Sequence, residues 1–447
     1  MSSSAGDLLE SRRGAASVAA VIVVFFLALR IALLLARDPF FDELFTLWIA
    51  AKPWSEIVGA LRHDSGPPLY YFLVKPFAAL AGSVAGIRLF SLAAATTALV
   101  LILAAKQLGP ARFTAAALLA IHPPSVLFAT DARSYALCAL LVLAGVLLLE
   151  SDRPFPAALA LVAAAYCHYY GALFLPVLLL KKKRGALALA VASVLFVPGL
   201  LLAWSQPAQA MRWADGQQSM AAGSGLLFLG RYPASLLLQD LWLPVVIAFA
   251  VALVALSTRV WRFAPYVMIP VALAVALALA GRNVYFPMRF ESVLAAPLAL
   301  WMATSLHARS PSVRTVVVGA LIVTSTVVLL RGVFDHLERP LDSYRRAAQV
   351  VRSAAPTDEP VVASGYLYLE TSMKLASTRA FPTEQAVHPG WRAEVPLAEL
   401  RSEVDTLPAS FIWVGERQAR ELRVLRERYR ATPLFMNDRA AVVRMER

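Results

Sequence analysis

The stretch SRRGAASVAAVIVVFFLALRIALLLA, residues 11–36, runs directly into RDPFFDELFTL, residues 37–47. An apolar run of about 20 residues is long enough to cross a bilayer. Arg12 and Arg13 before it place its start in the cytoplasm. No small-residue cleavage site precedes the acids, so the segment reads as a retained first helix and not as a signal peptide. Asp38, Asp42 and Glu43 then fall at the far end of a membrane span. Three carboxylates there are either a wet helix boundary or a reaction centre, and the rest of the chain decides between them.

The composition agrees with a membrane protein. Of 447 residues, 59% are hydrophobic and 16% charged, with mean hydropathy +0.64, far from the soluble average. A net charge of +13 suggests nucleic acid in a soluble chain. Here Lys and Arg gather in short clusters between apolar stretches, as cytoplasmic loops do, so the expected partner is a lipid bilayer and not nucleic acid. Cys138 and Cys167 both lie inside apolar runs, which gives a disulfide framework no support.

Basic clusters at Arg12–Arg13, Lys106–Arg112, Arg153, Lys181–Arg184, Arg259–Arg262 and Arg309–Arg314 mark cytoplasmic turns, with a round trip through the bilayer between successive clusters. The spans then read as 17–36, 89–105, 113–129, 134–149, 154–166, 169–180, 186–204, 240–257, 263–280, 291–306 and 315–331. That is about eleven crossings with the N-terminus cytoplasmic and the C-terminus extracytoplasmic. Residues 67–82, PPLYYFLVKPFAALAG, would invert every later cluster if counted as a span, so they are expected to lie along the outer interface. Residues 154–180 are short for two crossings, which predicts helices meeting at a break around CHYYG that lines a protein cavity. After Arg331 the composition becomes charged, with strand-like runs at Pro360–Ser364 and Phe411–Val414, a basic helix near Glu416–Arg430 and a hairpin around Asn437–Asp438. The expected fold is an all-α polytopic membrane domain over residues 1–331, with a first extracytoplasmic loop at 37–88 bearing interfacial helices. A small α/β extracytoplasmic domain follows over 332–447.

That topology puts four polar islands on one face: RDPFFDELFTLW (37–48), RHDSGPPLYY (62–71), FATDARSYAL (128–137) with CHYYG (167–171), and RNVYFPMRF (282–290). Arginines that grip phosphate, tyrosines and carboxylates that meet hydroxyls, and apolar walls together suit a substrate with an anionic headgroup, a sugar and a lipid tail.

In order and spacing these islands resemble the GT-C membrane glycosyltransferases. The branch they are similar to contains the dolichyl-phosphate-mannose protein mannosyltransferases, the bacterial aminoarabinose transferases and the rhizobial lipopolysaccharide galacturonosyltransferases. The resemblance covers roughly the first three hundred residues, which is more specific than any single motif. It implies inverting transfer of a sugar from a polyprenyl-phosphate-linked donor to an envelope acceptor, on the extracytoplasmic face of a bacterial inner membrane.

The family's first-loop acidic motif falls on Asp42 and Glu43. An inverting transfer needs a carboxylate that takes the acceptor hydroxyl's proton as the polyprenyl phosphate departs from the opposite face of the sugar. Asp42 is assigned that base. Glu43 is divided between supporting it and capping a helix N-terminus, the structural role open to both acids. In DARSYAL the leading acid is Asp131, where many relatives carry Glu; Arg133 is a candidate donor-phosphate ligand, and Tyr135 either lines the sugar pocket or belongs to the aromatic belt. His168 stands at the expected break, where an ionisable group at membrane depth reads as functional. Arg289, with Tyr285 nearby, is a second candidate for holding the leaving phosphate, against an arginine that snorkels to the headgroups. His63 and Asp64 are candidate acceptor contacts. No metal site is assigned and no cofactor expected, a divalent cation (Mg or Mn) being left open. Lys75 and Arg88 read as interfacial anchors, and Arg30 receives no role. The rival class is a lipid-linked-sugar transporter or flippase, but the paired broken helices of transporter repeats are missing from the sequence.

Overall fold

A computed structural model describes residues 5–36, 39–81, 84–206, 261–280, 284, 289–321, 323, 347, 349–353, 359–375, 377–387, 395–437 and 440–447. The chain divides into two compact units: residues 1–37, 66–205 and 212–334 form the first, and residues 38–65, 206–211 and 335–447 the second. The expected first loop, 37–88, is thus divided: residues 38–65 belong to the same unit as the C-terminal residues and residues 66–88 to the first unit.

The first unit is helical. Its described elements are α1 (Ala5–Ala36), α4 (Leu69–Ala81), α5 (Val84–Ala104), α6 (Ala111–Ile121), α7 (Pro123–Phe128), α8 (Tyr135–Glu150), α9 (Pro154–Cys167), a 3-10 helix Tyr169–Lys181, and α10 (Lys182–Ser205). After these come α11 (Pro265–Leu279), α12 (Arg289–His307) and α13 (Pro311–Leu321). Among the described residues, three stretches are long and apolar enough to cross a membrane: Gly14–Leu35, Val84–Ala104 and Tyr169–Ser205. The last is interrupted at Lys182, whose φ of 50° ends the 3-10 helix. Shorter apolar helices occupy 111–121, 135–150, 154–167, 265–279 and 311–321. The expected crossing at 240–257 and most of 315–331 lie outside the described residues, so the count of eleven is not established.

Two expectations need correction. The expected span 113–129 is split, because Pro123 lacks an N–H to extend α6 and His122 takes an extended conformation before α7. The stretch after CHYYG is also less short than its residue count suggests. At about 2.0 Å rise per residue a 3-10 helix of this length reaches roughly 26 Å, against about 20 Å for an α-helix. The break itself is where the sequence placed it, with His168 extended between α9 and the 3-10 helix.

Tight packing of the 3-10 helix on α9 depends on Gly171. A Cβ there would lie 2.3 Å from the Ala164 carbonyl carbon and 2.4 Å from the Ala165 nitrogen. In α10, Pro198 interrupts the helix, and the Tyr166 hydroxyl bridges the gap by donating to the Leu195 carbonyl at 2.9 Å and accepting from the Gly199 N–H at 3.1 Å. A side chain inserted into the backbone ladder at a proline is a physical cause of a kink. Arg88, expected at the interface, is instead 3% exposed and donates to the Leu34 carbonyl at the end of α1 (3.3 Å), where the free carbonyls attract a cation.

The far end of α8 carries charge. Glu150 accepts from the Tyr266 hydroxyl at 2.8 Å and from Arg262, while Asp152 pairs with Arg184 at 3.0 Å and Lys181 at 3.8 Å. Three of the basic clusters read from the sequence therefore meet at one end of this unit.

The second unit holds α2 (Phe41–Ala51), α3 (Trp54–Leu61), α14 (Tyr366–Lys374), the short helix Glu384–Val387, α15 (Leu397–Val404) and α16 (Arg420–Leu425). They accompany a five-stranded sheet of β1 (Val361–Ala363), β2 (Arg379–Ala380), β3 (Ser410–Glu416), β4 (Arg430–Met436) and β5 (Ala440–Glu446), in the order β2-β1-β3-β5-β4. Strands β2, β1 and β3 are parallel, and β5 is antiparallel to β3 and β4. Alternation decides the layers: Phe411, Trp413, Ala441, Val443 and Met445 point into one core with Leu400, Leu422 and Leu425, while Ile412, Val414, Ala440 and Val442 point into the other with Val351 and Leu367. The strands near 360–364 and 411–414 and the terminal hairpin fall where the sequence placed them. The basic helix is only six residues long, because the chain turns back into β4 at Arg430. Helix α2 packs against α14 within this unit.

Candidate active site

In the first unit a chain of rings joins islands that are far apart in sequence. Phe128 lies 4.5 Å from Tyr135, Tyr135 4.9 Å from His168, His168 4.3 Å from Tyr170, and Tyr170 5.1 Å from Phe290. The DARSYAL loop, the CHYYG break and the start of α12 at Arg289 therefore converge at the opposite end of α8 from the Glu150 cluster. Each position has a local cause. Tyr135 opens α8 and is 3% exposed, and Asp131 in the preceding turn is 4% exposed. The Thr130 hydroxyl donates to the Leu127 carbonyl at 2.8 Å, and the Arg133 carbonyl accepts from Ser91 at 3.4 Å. These bonds fasten the turn to α7 and α5.

His168 caps the 3-10 helix, its Nδ1 accepting the Tyr170 N–H at 3.2 Å. In the neutral ring this leaves the proton on Nε2, available to donate to an oxyanion. Arg133 and Arg289 both act electrostatically on His168, so two guanidiniums and a ring N–H serve one locality. Glu291, buried in the first turn of α12, was not singled out from the sequence; an acid two residues after Arg289 was its only signal. Tyr285 lies outside the described residues.

Along the same unit, Pro68, Leu69 and Phe72 face Leu159, Val162, Ala163 and Tyr166 across an open groove of about 350 Å³. Its walls are almost wholly apolar.

In the second unit, Asp42 and Glu43 occupy the first turn of α2. Glu43 is fully buried and folds back so that Oε2 accepts the Phe40 N–H at 3.2 Å, a capping bond. Asp42 is partly exposed and its carbonyl accepts from the Thr46 hydroxyl at 3.0 Å. Glu43 of the pair thus holds the helix start. His63 is exposed and Asp64 partly so, each closing a backbone turn after α3. Among the described residues no group of three or more His, Cys, Asp or Glu is arranged to hold a metal ion.

Residues 66–282 match the family model described as glycosyltransferase family 87. No curated protein matches the chain in sequence. Two solved structures share its fold: ArnT from Cupriavidus metallidurans in the apo state, with TM-score 0.62 and 14% identity over 94% of this chain and 97% of that one, and the same protein bound to undecaprenyl phosphate, with TM-score 0.58 and 13% identity over 99% and 98%. The resemblance to the GT-C membrane glycosyltransferases read from the polar islands therefore stands, in a helical membrane fold like that of ArnT and a sequence matching glycosyltransferase family 87 over residues 66–282.

Proposed function

We propose that this protein is an inverting glycosyltransferase that moves a sugar from a polyprenyl-phosphate donor to an envelope acceptor on the extracytoplasmic face of the bacterial inner membrane. The observation that carries this reading is the ring chain that joins Tyr135, His168 and Phe290, with Arg133 two residues before Tyr135 and Arg289 next to Phe290, at the end of α8 remote from three basic clusters. The positive-inside rule assigns the clustered end to the cytoplasm, and so the convergent end to the outside. Undecaprenyl phosphate is the ligand in one ArnT structure, which supports a lipid-linked phosphate here.

The roles follow from the chemistry. Arg133 and Arg289 neutralise the charge that develops on the departing phosphate, and His168 donates to it from Nε2. Asp131 and Tyr135 meet sugar hydroxyls. The groove between α4 and α9 suits a prenyl chain, because its walls offer contact without a polar partner to desolvate. Asp42 accepts the proton of the acceptor hydroxyl, and Glu43 maintains the helix that presents it. His63 and Asp64 are acceptor contacts.

The test compares the envelope glycans and lipids of cells with and without the gene by mass spectrometry. The reading expects one envelope component to lose a single sugar while a polyprenyl-phospho-sugar accumulates. An unchanged envelope with no accumulated donor would overturn it.

A further inference from the structure

Asp152 and Lys182 are the two non-glycine residues with positive φ among those described, at 57° and 50°, and they stand in the same charged corner of the first unit. Residues other than glycine adopt that conformation only where their surroundings dictate it. Here the dictating contacts are visible. The Asp152 carboxylate pairs with Arg184 at 3.0 Å and with Lys181 at 3.8 Å. A Cβ at Gly185 would lie 1.9 Å from the Leu178 carbonyl oxygen, so the turn from the 3-10 helix into α10 is closed on itself. Arg262 is likewise occupied, by Glu150.

These two acids account for Lys181, Arg184 and Arg262. Arg153, Lys182 and Lys183 are exposed, and among the described residues none of their side chains has a hydrogen bond or an ion pair. Asp152 fixes where they stand: Arg153 follows it in the chain, and the two lysines lie between its two partners. Those lysines also open α10, where the positive end of the helix dipole adds to their charge instead of offsetting it. Unpaired cations are ordinary on a surface that faces only water, but this surface does not. Leu180 and Leu187, on either side of the lysines, are 39% and 59% exposed, and Trp261, beside Arg262, is 52% exposed. On a membrane protein such leucines meet acyl chains, and an exposed tryptophan sits at the headgroup level. The unpaired cations therefore border an apolar surface at the depth of the headgroups. A soluble acidic partner would neutralise the lysines and leave the leucines uncovered, whereas a phospholipid covers both.

We propose that Arg153, Lys182 and Lys183, bordered by Trp261, bind the phosphate of an anionic phospholipid in the leaflet at this end of the bundle, with its acyl chains along the adjoining leucines. The positive-inside rule makes that leaflet the cytoplasmic one. The site lies at the opposite end of α8 from the ring chain and does not depend on sugar transfer. Binding is read without turnover, so the failure of either reading leaves the other standing.

The experiment titrates the purified full-length protein in detergent with phosphatidylglycerol, phosphatidylcholine and glycerol 1-phosphate, counting bound molecules by native mass spectrometry. Each lysine near a bilayer surface contributes about fivefold to the binding of anionic lipid, so Lys183→Gln should weaken phosphatidylglycerol by about fivefold and Lys182→Gln/Lys183→Gln by about 25-fold, with phosphatidylcholine unchanged. Lys106→Gln removes an exposed lysine from the turn after α5 and is expected to leave the affinity within about twofold, since one distant charge is largely screened. Equal affinity of the wild type for the two lipids would overturn the site. Equal weakening by Lys106→Gln and Lys183→Gln would also overturn it, because net charge alone would then explain the binding. Glycerol 1-phosphate bound as tightly as phosphatidylglycerol would replace the lipid by a free phosphate and overturn the proposal. If the double variant does not fold, Lys183→Gln decides by the same criteria.

Discussion

Replacing Gly171 with alanine tests how the site is built. The added methyl group would sit 2.3 Å from the Ala164 carbonyl carbon, 2.4 Å from the Ala165 nitrogen and 2.7 Å from the Ala164 oxygen. Non-bonded carbon contacts are comfortable at about 3.5–4.0 Å, so the two segments must separate by roughly 1 Å. All three obstructing atoms are backbone, and none yields by a rotamer change. Overpacking of this kind costs about 2–3 kcal/mol. The displacement falls between His168 and Tyr170 on one side and α9 on the other, and a shift of about 1 Å in a positioning group lowers a rate by around 10²-fold. Gly145→Ala is the comparison: its Cβ would meet the Leu161 side chain at 2.8 Å and no backbone atom closer than 3.5 Å, so a smaller cost, about 1 kcal/mol, is expected. Thermal unfolding in detergent and sugar transfer by the same preparations provide the readouts. A Gly171→Ala protein with wild-type melting and turnover, or a Gly145→Ala protein destabilised as much, would refute the reasoning.

Other consequences follow from the same structure. Glu43→Ala removes the capping bond to Phe40 and is expected to lower stability by about 1 kcal/mol, while Glu43→Gln keeps an acceptor and most of the turnover; loss of turnover in the Gln variant without loss of stability would assign Glu43 to the chemistry. Tyr166→Phe leaves the Leu195 carbonyl and Gly199 N–H unbridged and should cost about 1–2 kcal/mol, read as a lower melting temperature that Tyr166→Leu reproduces or exceeds. In the second unit, the forked bonds from Arg401 hold the Glu427 carboxyl below its usual range. A depressed carboxylate stabilises the fold above its unfolded pKa and loses that contribution as pH falls through the folded one. The melting difference between wild type and Arg401→Gln is therefore expected near pH 7 and should vanish in acid; a difference that grows on acidification would reverse the sign.

The sequence was most legible where one short-range cause acts alone. Strand-like runs placed β1 and β3, the turn residues at Asn437–Asp438 placed the terminal hairpin, and the CHYYG break followed from a segment too short to cross twice. The split at His122 was visible as Pro123–Pro124, yet the apolarity on either side concealed it, because hydropathy averages over a helix stop. The 3-10 helix after His168 escaped notice since its residues have no helix-type preference that composition reports. Arg88 was misplaced at the interface because hydropathy cannot see that the end of α1 offers carbonyls inside the bundle. At the site, motif order brought out Asp131, Arg133, Tyr135, His168 and Arg289; the ring chain brings Tyr135 and His168 of these together and ends on Phe290, next to Arg289.

The most direct measurement is release of polyprenyl phosphate by the purified protein supplied with polyprenyl-phospho-sugars and envelope acceptors, run beside Asp42→Asn. The account predicts release that requires acceptor in the wild type and a collapse of kcat in the variant with donor affinity retained. Near-normal turnover by Asp42→Asn would remove Asp42 from the mechanism. Lipid binding or translocation without release, equal in both proteins, would contradict glycosyl transfer itself and return the acids after the first helix to a wet boundary.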